Sequence, residues 1–253
     1  MRRVNGFVCY EGPSAIDGEP IAVIVIGIAT PSTNTKTGGM LQSYIVRTDC
    51  TPLDAIRMGV DTSICGDCVH RSVASGGQGS CYVNVGQGPR AVVDAYWRGK
   101  YPRLSLFDAA RVVATHGGKF RIGTYGDPGA VPDAGAFWSL LTVGVPVDAK
   151  GEPQRTGYTH RWRDTGASLR GLVMASTDSP ADVDAARAGG WSWFRVSACG
   201  DKTRLPDEAF CPASAEAGRR VTCEGCPIKC NGLATVRGRV IQAHGSTRNR
   251  VTA

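Results

Sequence analysis

The sequence predicts an α/β fold built on a mainly parallel sheet, and three observations point to this class. Residues 21–27 form a continuous run of apolar, largely β-branched side chains, which is typical of a strand buried on both faces. Residues 172–196 read as strand, helix and strand, and such repetition builds parallel sheets through right-handed crossovers. With 253 residues and 42% hydrophobic content, the chain is long enough for one large α/β domain or two small ones.

The first half of the chain predicts two strands and three helices. In chain order they are a strand at 21–27, a polar loop at 31–39, a strand at 42–48, and helices at 52–59, 91–97 and 104–115. Pro89 suits the first turn of the second helix, and Gly99 is placed to end it. Gly117 and Gly118 end the third helix in the same way.

The second half predicts further strands and helices in alternation. They are a strand at 120–125, a turn at 126–129, a helix at 132–141, strands at 156–162 and 172–176, a helix at 182–188, and strands at 191–196 and 239–245. Ser179 and Pro180 predict the start of the helix at 182–188, since serine caps helices and proline suits their first position. Six or seven such strands suit either a partial TIM-like barrel or a doubly wound sheet.

A change of pattern near residue 199 predicts the domain organisation. Residues 199–232 are short of apolar periodicity and hold five cysteines. We therefore expect an α/β core at 1–198 that carries the first cysteine group. Residues 199–253 are expected to form a cysteine-rich, metal-binding appendage that also returns a last strand to the core.

Composition limits the cellular setting and the partners. The apolar run at 21–28 is too short to span a bilayer, and CxxC pairs in a reducing compartment favour metal ligation over disulfides. We expect a cytoplasmic protein with no membrane association. The net charge of +7 and the pI near 9.0 are compatible with nucleic-acid contact and equally with a solvated basic surface.

Seven of the ten cysteines fall into two groups. The first group is Cys65, Cys68 and Cys81, and the second is Cys211, Cys223, Cys226 and Cys230. Soft thiolates prefer zinc, copper(I) or iron-sulfur units. Four cysteines close a coordination sphere, whereas three leave one position open for water, substrate or a cofactor. The first group therefore predicts chemistry, and the second predicts structure or electron transfer.

The identity of the metal stays open at both groups. The spacing of the second group suits either a zinc ion or a [4Fe-4S] cluster. At the first group, His70 follows Cys68 by two residues and would serve as a fourth ligand in a closed zinc site with three cysteines.

Polar residues follow several predicted strands. Gly126, Asp127 and Pro128 follow one strand, His160 lies near the end of the next, and Ser176 and Asp178 follow a third. Ligands of parallel α/β folds bind at the carboxyl ends of the strands, so these residues are expected to converge on one site. His160 and Asp178 are the candidate catalytic groups. The alternative is that the motifs are an ordinary turn and an ordinary helix cap.

The three-cysteine group and the turn at 126–128 resemble the radical S-adenosylmethionine enzymes, in which three cysteines after an early strand hold a [4Fe-4S] cluster. The usual spacing in that family is CxxxCxxC, whereas Cys81 here lies thirteen positions after Cys68. A glycine-rich hairpin at 75–79 would return the third sulfur. The resemblance implies a partial TIM-like barrel, a reductant as partner, and S-adenosylmethionine bound by Tyr82, Gly126, Asp127, Pro128 and Ser176.

A second resemblance covers most of the chain. The segments 63–68, 81–89, 126–128, 157–160 and 211–214 are similar to those of the uncharacterised phage gene product 88 family. This resemblance implies a phage or mobile-element origin and brings no established activity with it.

Two functional hypotheses follow from the sequence. The first is a phage-type, radical S-adenosylmethionine-like enzyme with one or two [4Fe-4S] clusters that acts on a nucleotide or nucleic-acid substrate. The second is a non-enzymatic basic protein, stabilised by zinc at either site, that binds nucleic acid or a host protein.

Overall fold

A mostly parallel sheet forms the centre of the protein in the computed structural model, which describes residues 4–73, 76–77, 79–165, 167–218, 221–233 and 237–251. The strands are β1 (Gly6–Pro13), β2 (Pro20–Ile26), β3 (Leu41–Arg47), β4 (Phe120–Tyr125), β5 (Arg155–Thr159), β6 (Met174–Thr177), β7 (Trp193–Ser197), β8 (Glu208–Phe210) and β9 (Gly238–Gln242). The helices are α1 (Pro52–Met58), α2 (Thr62–Cys65), α3 (Gly88–Trp97), α4 (Leu106–His116), α5 (Ala134–Leu141) and α6 (Pro180–Ala188).

The described strands form one sheet in the order β1-β2-β3-β4-β5-β6-β7-β9-β8. The pairs β1/β2 and β2/β3 are antiparallel, and every other neighbouring pair is parallel. The sheet is open, with β1 and β8 at its two edges. The predicted α/β class with a mainly parallel sheet is confirmed. Because β3 to β7 and β9 run in the same direction, the loops that follow them meet at one edge of the sheet.

The buried positions explain why these segments form strands and helices. Residues 21–25 of β2 are buried in succession, as expected for a strand covered on both faces. The Ser179 hydroxyl accepts from the Asp182 amide at 3.1 Å and caps α6, with Pro180 in the first turn. Trp138 on α5 and Trp193 on β7 are among the largest fully buried side chains.

The structure corrects several predicted bounds. β1 and α2 were not expected from the sequence, and the strand predicted at 156–162 ends at Thr159. It ends there because the His160 amide turns away from the sheet and donates to the Asp127 carboxylate at 2.7 Å. The strand predicted at 239–245 is β9, which ends at Gln242.

The cysteine-rich region after residue 199 is joined to the sheet by two strands. β9 pairs with β7, and β8 pairs with β9 at the sheet edge. A buried ion pair, Arg195 Nη2 to Glu208 Oε2 at 2.8 Å, links β7 to β8. Within the described ranges, no helix is long and apolar enough to cross a membrane.

Candidate metal and cofactor site

The first cysteine group lies in the connection that follows β3 and α1. Cys65 ends α2, and Cys68 lies in the turn after it. The amide of Cys81 and that of the residue before it donate to the His70 carbonyl at 3.1 and 3.0 Å. These two bonds return the third cysteine to the CxxC pair, as the sequence predicts. Part of the predicted glycine-rich return at 75–79 lies outside the described residues.

A buried arginine fixes the shape of this loop. The Arg71 guanidinium donates to the carbonyls of Gly66 and Gly59 at 2.7 and 2.8 Å, and to Asp61 Oδ1 at 2.7 Å. The two members of the Arg71–Asp61 ion pair are 9% and 6% exposed, so solvent screens the pair little. The backbone around the CxxC pair is therefore held by side-chain bonds rather than by a long helix.

One cavity of about 370 Å³ gathers most of the predicted site residues. Its volume lies at the lower end of the range for small-molecule sites. The predicted site residues that line it are Cys65, Cys68, Cys81, Tyr82, Gly126, Asp127, His160, Ser176, Cys211 and Cys223. Pro128 and Asp178 are outside this lining: the Pro128 carbonyl accepts from the Trp138 indole at 3.0 Å, and Asp178 lies behind the two histidines described below.

Asp127 connects the ends of two strands. Its carboxylate accepts from the Gly129 amide at 2.8 Å, the Thr159 hydroxyl at 2.7 Å and the His160 amide at 2.7 Å. Its own amide donates to the Ile64 carbonyl at 2.6 Å, which ties the turn after β4 to α2. Burial raises the pKa of Asp127, and the bond from Thr159 opposes that rise. The turn predicted to meet a cofactor thus also positions the first cysteine group.

Two histidines and one carboxylate lie together beside the cavity; His70 is hydrogen-bonded to Asp178, and His160 contacts the same carboxylate. Asp178 Oδ1 lies 2.8 Å from His70 Nε2, and Asp178 Oδ2 lies 3.3 Å from His160 Nε2. His70 Nδ1 lies 2.7 Å from the Ser80 hydroxyl. Both ring nitrogens of His70 are therefore engaged, and neither points to the cysteines as the hypothetical zinc ligand would.

The charges of these three side chains reinforce one another. Burial disfavours the imidazolium of His160, yet the negative charges of Cys68 and Asp178 raise its pKa well above the ordinary value. Burial likewise opposes the charge on Asp178, but the bonds from His160 and His70 lower its pKa. The geometry can hold a proton on His160 next to the first cysteine group, which is the position for an acid-base group.

The second cysteine group is bonded to the sheet and to the loop at 34–39. The Cys211 amide donates to a β9 carbonyl at 2.9 Å, and the Cys230 carbonyl accepts from a β5 amide at 3.1 Å. The Cys223 amide donates to the Lys36 carbonyl at 2.8 Å. All four cysteines line a small pocket of about 30 Å³, and Cys211 and Cys223 also line the large cavity. The two groups thus face a shared space.

The spacing of the sulfurs tests which metal each group fits. In a tetrahedral zinc site with Zn–S bonds of about 2.3 Å, the ligand sulfurs lie about 3.8 Å apart. Within the described residues, the group of three or more candidate ligands whose donor atoms all lie within 4.8 Å is His70, His160 and Asp178. No three of the seven sulfurs meet that limit. Among the described residues, neither cysteine group therefore places three sulfurs at the spacing of a tetrahedral zinc site.

The protonation of the thiols couples to metal binding. Burial raises the pKa of Cys65, of Cys81 and of Cys211, and it raises that of Cys230 to about 12. Without a metal these thiols stay protonated at neutral pH. Ligation therefore releases protons, and metal binding strengthens as the pH rises.

The cavity also contains cationic and aromatic residues that the sequence did not single out, namely Lys36, Arg121, Tyr158 and Phe194. His244, which the sequence places at the end of the last predicted strand with the same acid-base or structural alternatives as His160, lies on its wall as well. Arg121 lies inside a predicted strand, where a charged side chain on one face is a signal for a polar cavity. Comparison with protein-family models, with curated proteins and with solved structures gave no significant match to the chain.

Proposed function

We propose that the protein is a phage-type iron-sulfur enzyme of the radical S-adenosylmethionine-like kind that acts on a nucleotide or nucleic-acid substrate. Cys65, Cys68 and Cys81 would hold a [4Fe-4S] cluster with one open iron, and the second cysteine group would hold a closed cluster. The phage origin rests on the resemblance of the sequence segments. We place this enzyme in the cytoplasm. It would need an external reductant, because reductive cleavage of the cofactor requires an electron donor.

One observation carries this proposal. Residues from three connections and one strand end line the same cavity: the cysteines after β3, Gly126 and Asp127 after β4, His160 after β5, and Ser176 near the end of β6. A structural staple has no need of a cavity, whereas an open coordination site needs space beside it for its ligand.

The strand order supports a partial barrel with a cysteine-rich appendage. β3, β4, β5, β6, β7 and β9 lie side by side in chain order, without the reversal of direction that marks a doubly wound sheet. A sheet that advances in one direction has its helices on one side and curls toward a barrel. The antiparallel β1 and β2 would then extend the barrel's first edge.

Specific residues would perform the chemistry of the site. A bound cluster would supply the electron that cleaves the sulfonium of S-adenosylmethionine. Tyr82, Gly126, Asp127, Pro128 and Ser176 would position the cofactor, directly or through the turn that Asp127 holds. His160 and Asp178 would hold a proton at His160 Nε2 beside the substrate.

The test is anaerobic purification and reconstitution, followed by iron, sulfide and zinc analysis and an assay of cofactor cleavage. We expect about eight irons per chain if both clusters form. The protein should absorb visible light through sulfur-to-iron charge transfer, and it should release 5′-deoxyadenosine only when a reductant is present. Colourless protein with stoichiometric zinc and no iron after reconstitution would contradict the proposal.

One observation favours the second candidate, a zinc-stabilised basic protein that binds nucleic acid or a host protein. The donor atoms of His70, His160 and Asp178 lie close enough together for one divalent ion. The same metal analysis decides between the two candidates. If the zinc-stabilised candidate is right, zinc should remain bound after the seven clustered cysteines are chemically blocked. The H70A variant should then lose that zinc.

A further inference from the structure

Two cations on the cavity wall have no carboxylate partner. Arg121 and Lys36 both line the large cavity, and within the described residues neither has a carboxylate oxygen within 4.0 Å. Desolvating a cation without an anion is costly, so proteins place such groups where a ligand or a substrate supplies the charge.

Arg121 is held in place and remains incompletely bonded. It projects from β4, and its Nη2 donates to the Tyr82 hydroxyl at 3.0 Å. Its Nε is buried and has no hydrogen-bond partner in the part of the chain that the structure describes. A guanidinium with an unused donor on a cavity wall fits an oxyanion such as a phosphate, because its fork matches two oxygens at once.

Lys36 is oriented toward the same space by a histidine. Lys36 Nζ lies 3.0 Å from His244 Nε2, and since lysine can only donate, His244 accepts there and donates from Nδ1 to the Gln242 carbonyl at 3.2 Å. Burial and the nearby charge of Lys36 lower the pKa of His244, so the ring is neutral. The Glu216 carboxylate is nearby but accepts from the Gln242 amide at 2.6 Å.

Aromatic rings line the cavity next to these cations. Tyr158 and Phe194 pack with ring centroids 4.5 Å apart, and Tyr82 packs on His244 at 5.1 Å. All four line the cavity. Aromatic faces next to cations bind nucleotides with little dependence on the base, because every base has a π-face that can stack and every nucleotide has a phosphate that can pair with a cation.

We propose that the substrate is a mononucleotide whose phosphate binds Arg121 and Lys36 and whose base packs against Tyr158 and Phe194. This inference deepens the proposed function and rests on it for the reaction, but not for the binding. S-adenosylmethionine would take the part of the cavity beside Asp127, and the nucleotide would take the part lined by Arg121, Lys36, Tyr158 and Phe194. The competing explanation is that the two cations only offset thiolates of the second cysteine group, since the charge of Cys223 acts on both Lys36 and Arg121.

The test is calorimetric titration of the anaerobically reconstituted protein, in saturating S-adenosylmethionine, with four 5′-mononucleotides, their nucleosides, inorganic phosphate and a single-stranded oligonucleotide. We expect at least one mononucleotide to bind more tightly than its nucleoside and than phosphate. R121Q should weaken that binding about 10- to 100-fold, and K36Q about tenfold, since each removes a charge-assisted bond. R121K should fall between R121Q and the unchanged protein.

Arg111 provides the matched control, because its side chain is 72% exposed on α4 and pairs with Asp108 of the same helix. R111Q should bind the mononucleotide as the unchanged protein does. The inference is overturned if R121Q and R121K bind normally while the reduction potential of the second centre shifts. It is also overturned if phosphate alone binds as tightly as the nucleotides, or if the oligonucleotide binds more tightly and depends equally on Arg121. If the unchanged protein binds a mononucleotide through Arg121 but does not cleave S-adenosylmethionine, the proposed function is contradicted and the inference about the nucleotide site is not.

Discussion

The two cysteine groups share one cavity but differ in the charges next to individual cysteines. Around Cys65 the nearby charges that raise its pKa are other thiolates and the carboxylates of Asp61 and Asp127, although Arg71 and His160 also lie beside this group. Around Cys223 the charges include the cations Lys36 and Arg121. Negative surroundings lower the reduction potential of an iron-sulfur cluster, and cations raise it. If both groups hold clusters, as proposed, the comparison teaches that similar ligands can serve different tasks: the first centre would have the lower potential and donate an electron, and the second would be easier to reduce.

Single cysteine replacements test this difference most strongly. C65A should abolish cofactor cleavage and remove the absorbance of one cluster, while the second cluster stays, because the groups are anchored to different strands. C226A should remove the second cluster and lower the midpoint of thermal unfolding, because its loop bonds to β5 and β9. Iron counting, absorbance spectra and product assays read these outcomes. Loss of both centres in C65A would mean that the first group is structural.

Glu208 tests whether the second group depends on the sheet edge. Its fully buried carboxylate accepts from Arg195, from the Trp193 indole at 3.0 Å and from the Leu205 amide at 2.8 Å. E208A leaves a buried guanidinium unpaired, and we expect a loss of about 3–5 kcal/mol of unfolding free energy. Because β8 leads directly to Cys211, iron at the second group should fall while the first group keeps its iron.

The control for this prediction is D184N. Asp184 is 74% exposed and pairs with Arg187 within one helix, so its replacement should change stability by less than about 0.5 kcal/mol. Chemical denaturation of the three proteins gives the comparison. Equal loss of iron from both groups in E208A would show that the two centres are not independently anchored.

Asp127 tests the anchoring of the first group. D127A removes the acceptor for the Gly129 amide, the Thr159 hydroxyl and the His160 amide. Water from the cavity can accept some of these hydrogen bonds in place of the carboxylate. We expect D127A to lose about 2–4 kcal/mol of unfolding free energy. We also expect it to retain less iron at the first cysteine group and an unchanged amount at the second. D127N should cost less, because it keeps an acceptor oxygen and removes a charge that burial disfavours. A larger loss in D127N than in D127A would contradict this explanation.

The fold could be predicted where local pattern decides structure. The apolar run of β2 and the Ser179 cap of α6 are local signals, and both elements form as expected. The convergence of Gly126 and Ser176 on one cavity followed from the rule that parallel strands end at one edge. The bounds of β5 depended on Asp127, a contact across more than thirty positions that no local pattern contains.

Other parts of the site depended on contacts that only the folded chain makes. His70 follows the CxxC pair closely enough to suggest a ligand, yet its ring faces Asp178, which lies 108 positions later. Lys36 lies in a segment whose sequence predicts only a polar loop. It reaches the cavity because its carbonyl accepts a hydrogen bond from the Cys223 amide. Side-chain direction over such distances is set by packing, so sequence spacing could not supply it.

The smallest expected effect concerns the loop that carries Cys230. Lys229 pairs with Asp148 at 2.5 Å, and the bond from Lys229 lowers the pKa of Asp148 from 3.8 to about 2. A lowered carboxyl pKa adds stability above the unfolded value and loses it as the pH falls toward 2. D148N should therefore lower the unfolding midpoint slightly and by the same amount from pH 8 to pH 5, and added salt should shrink the difference. Thermal unfolding at several pH values measures this. A difference that grows from pH 5 to pH 8 would point to another titrating group, and the comparison of the two cysteine regions would then have to include it.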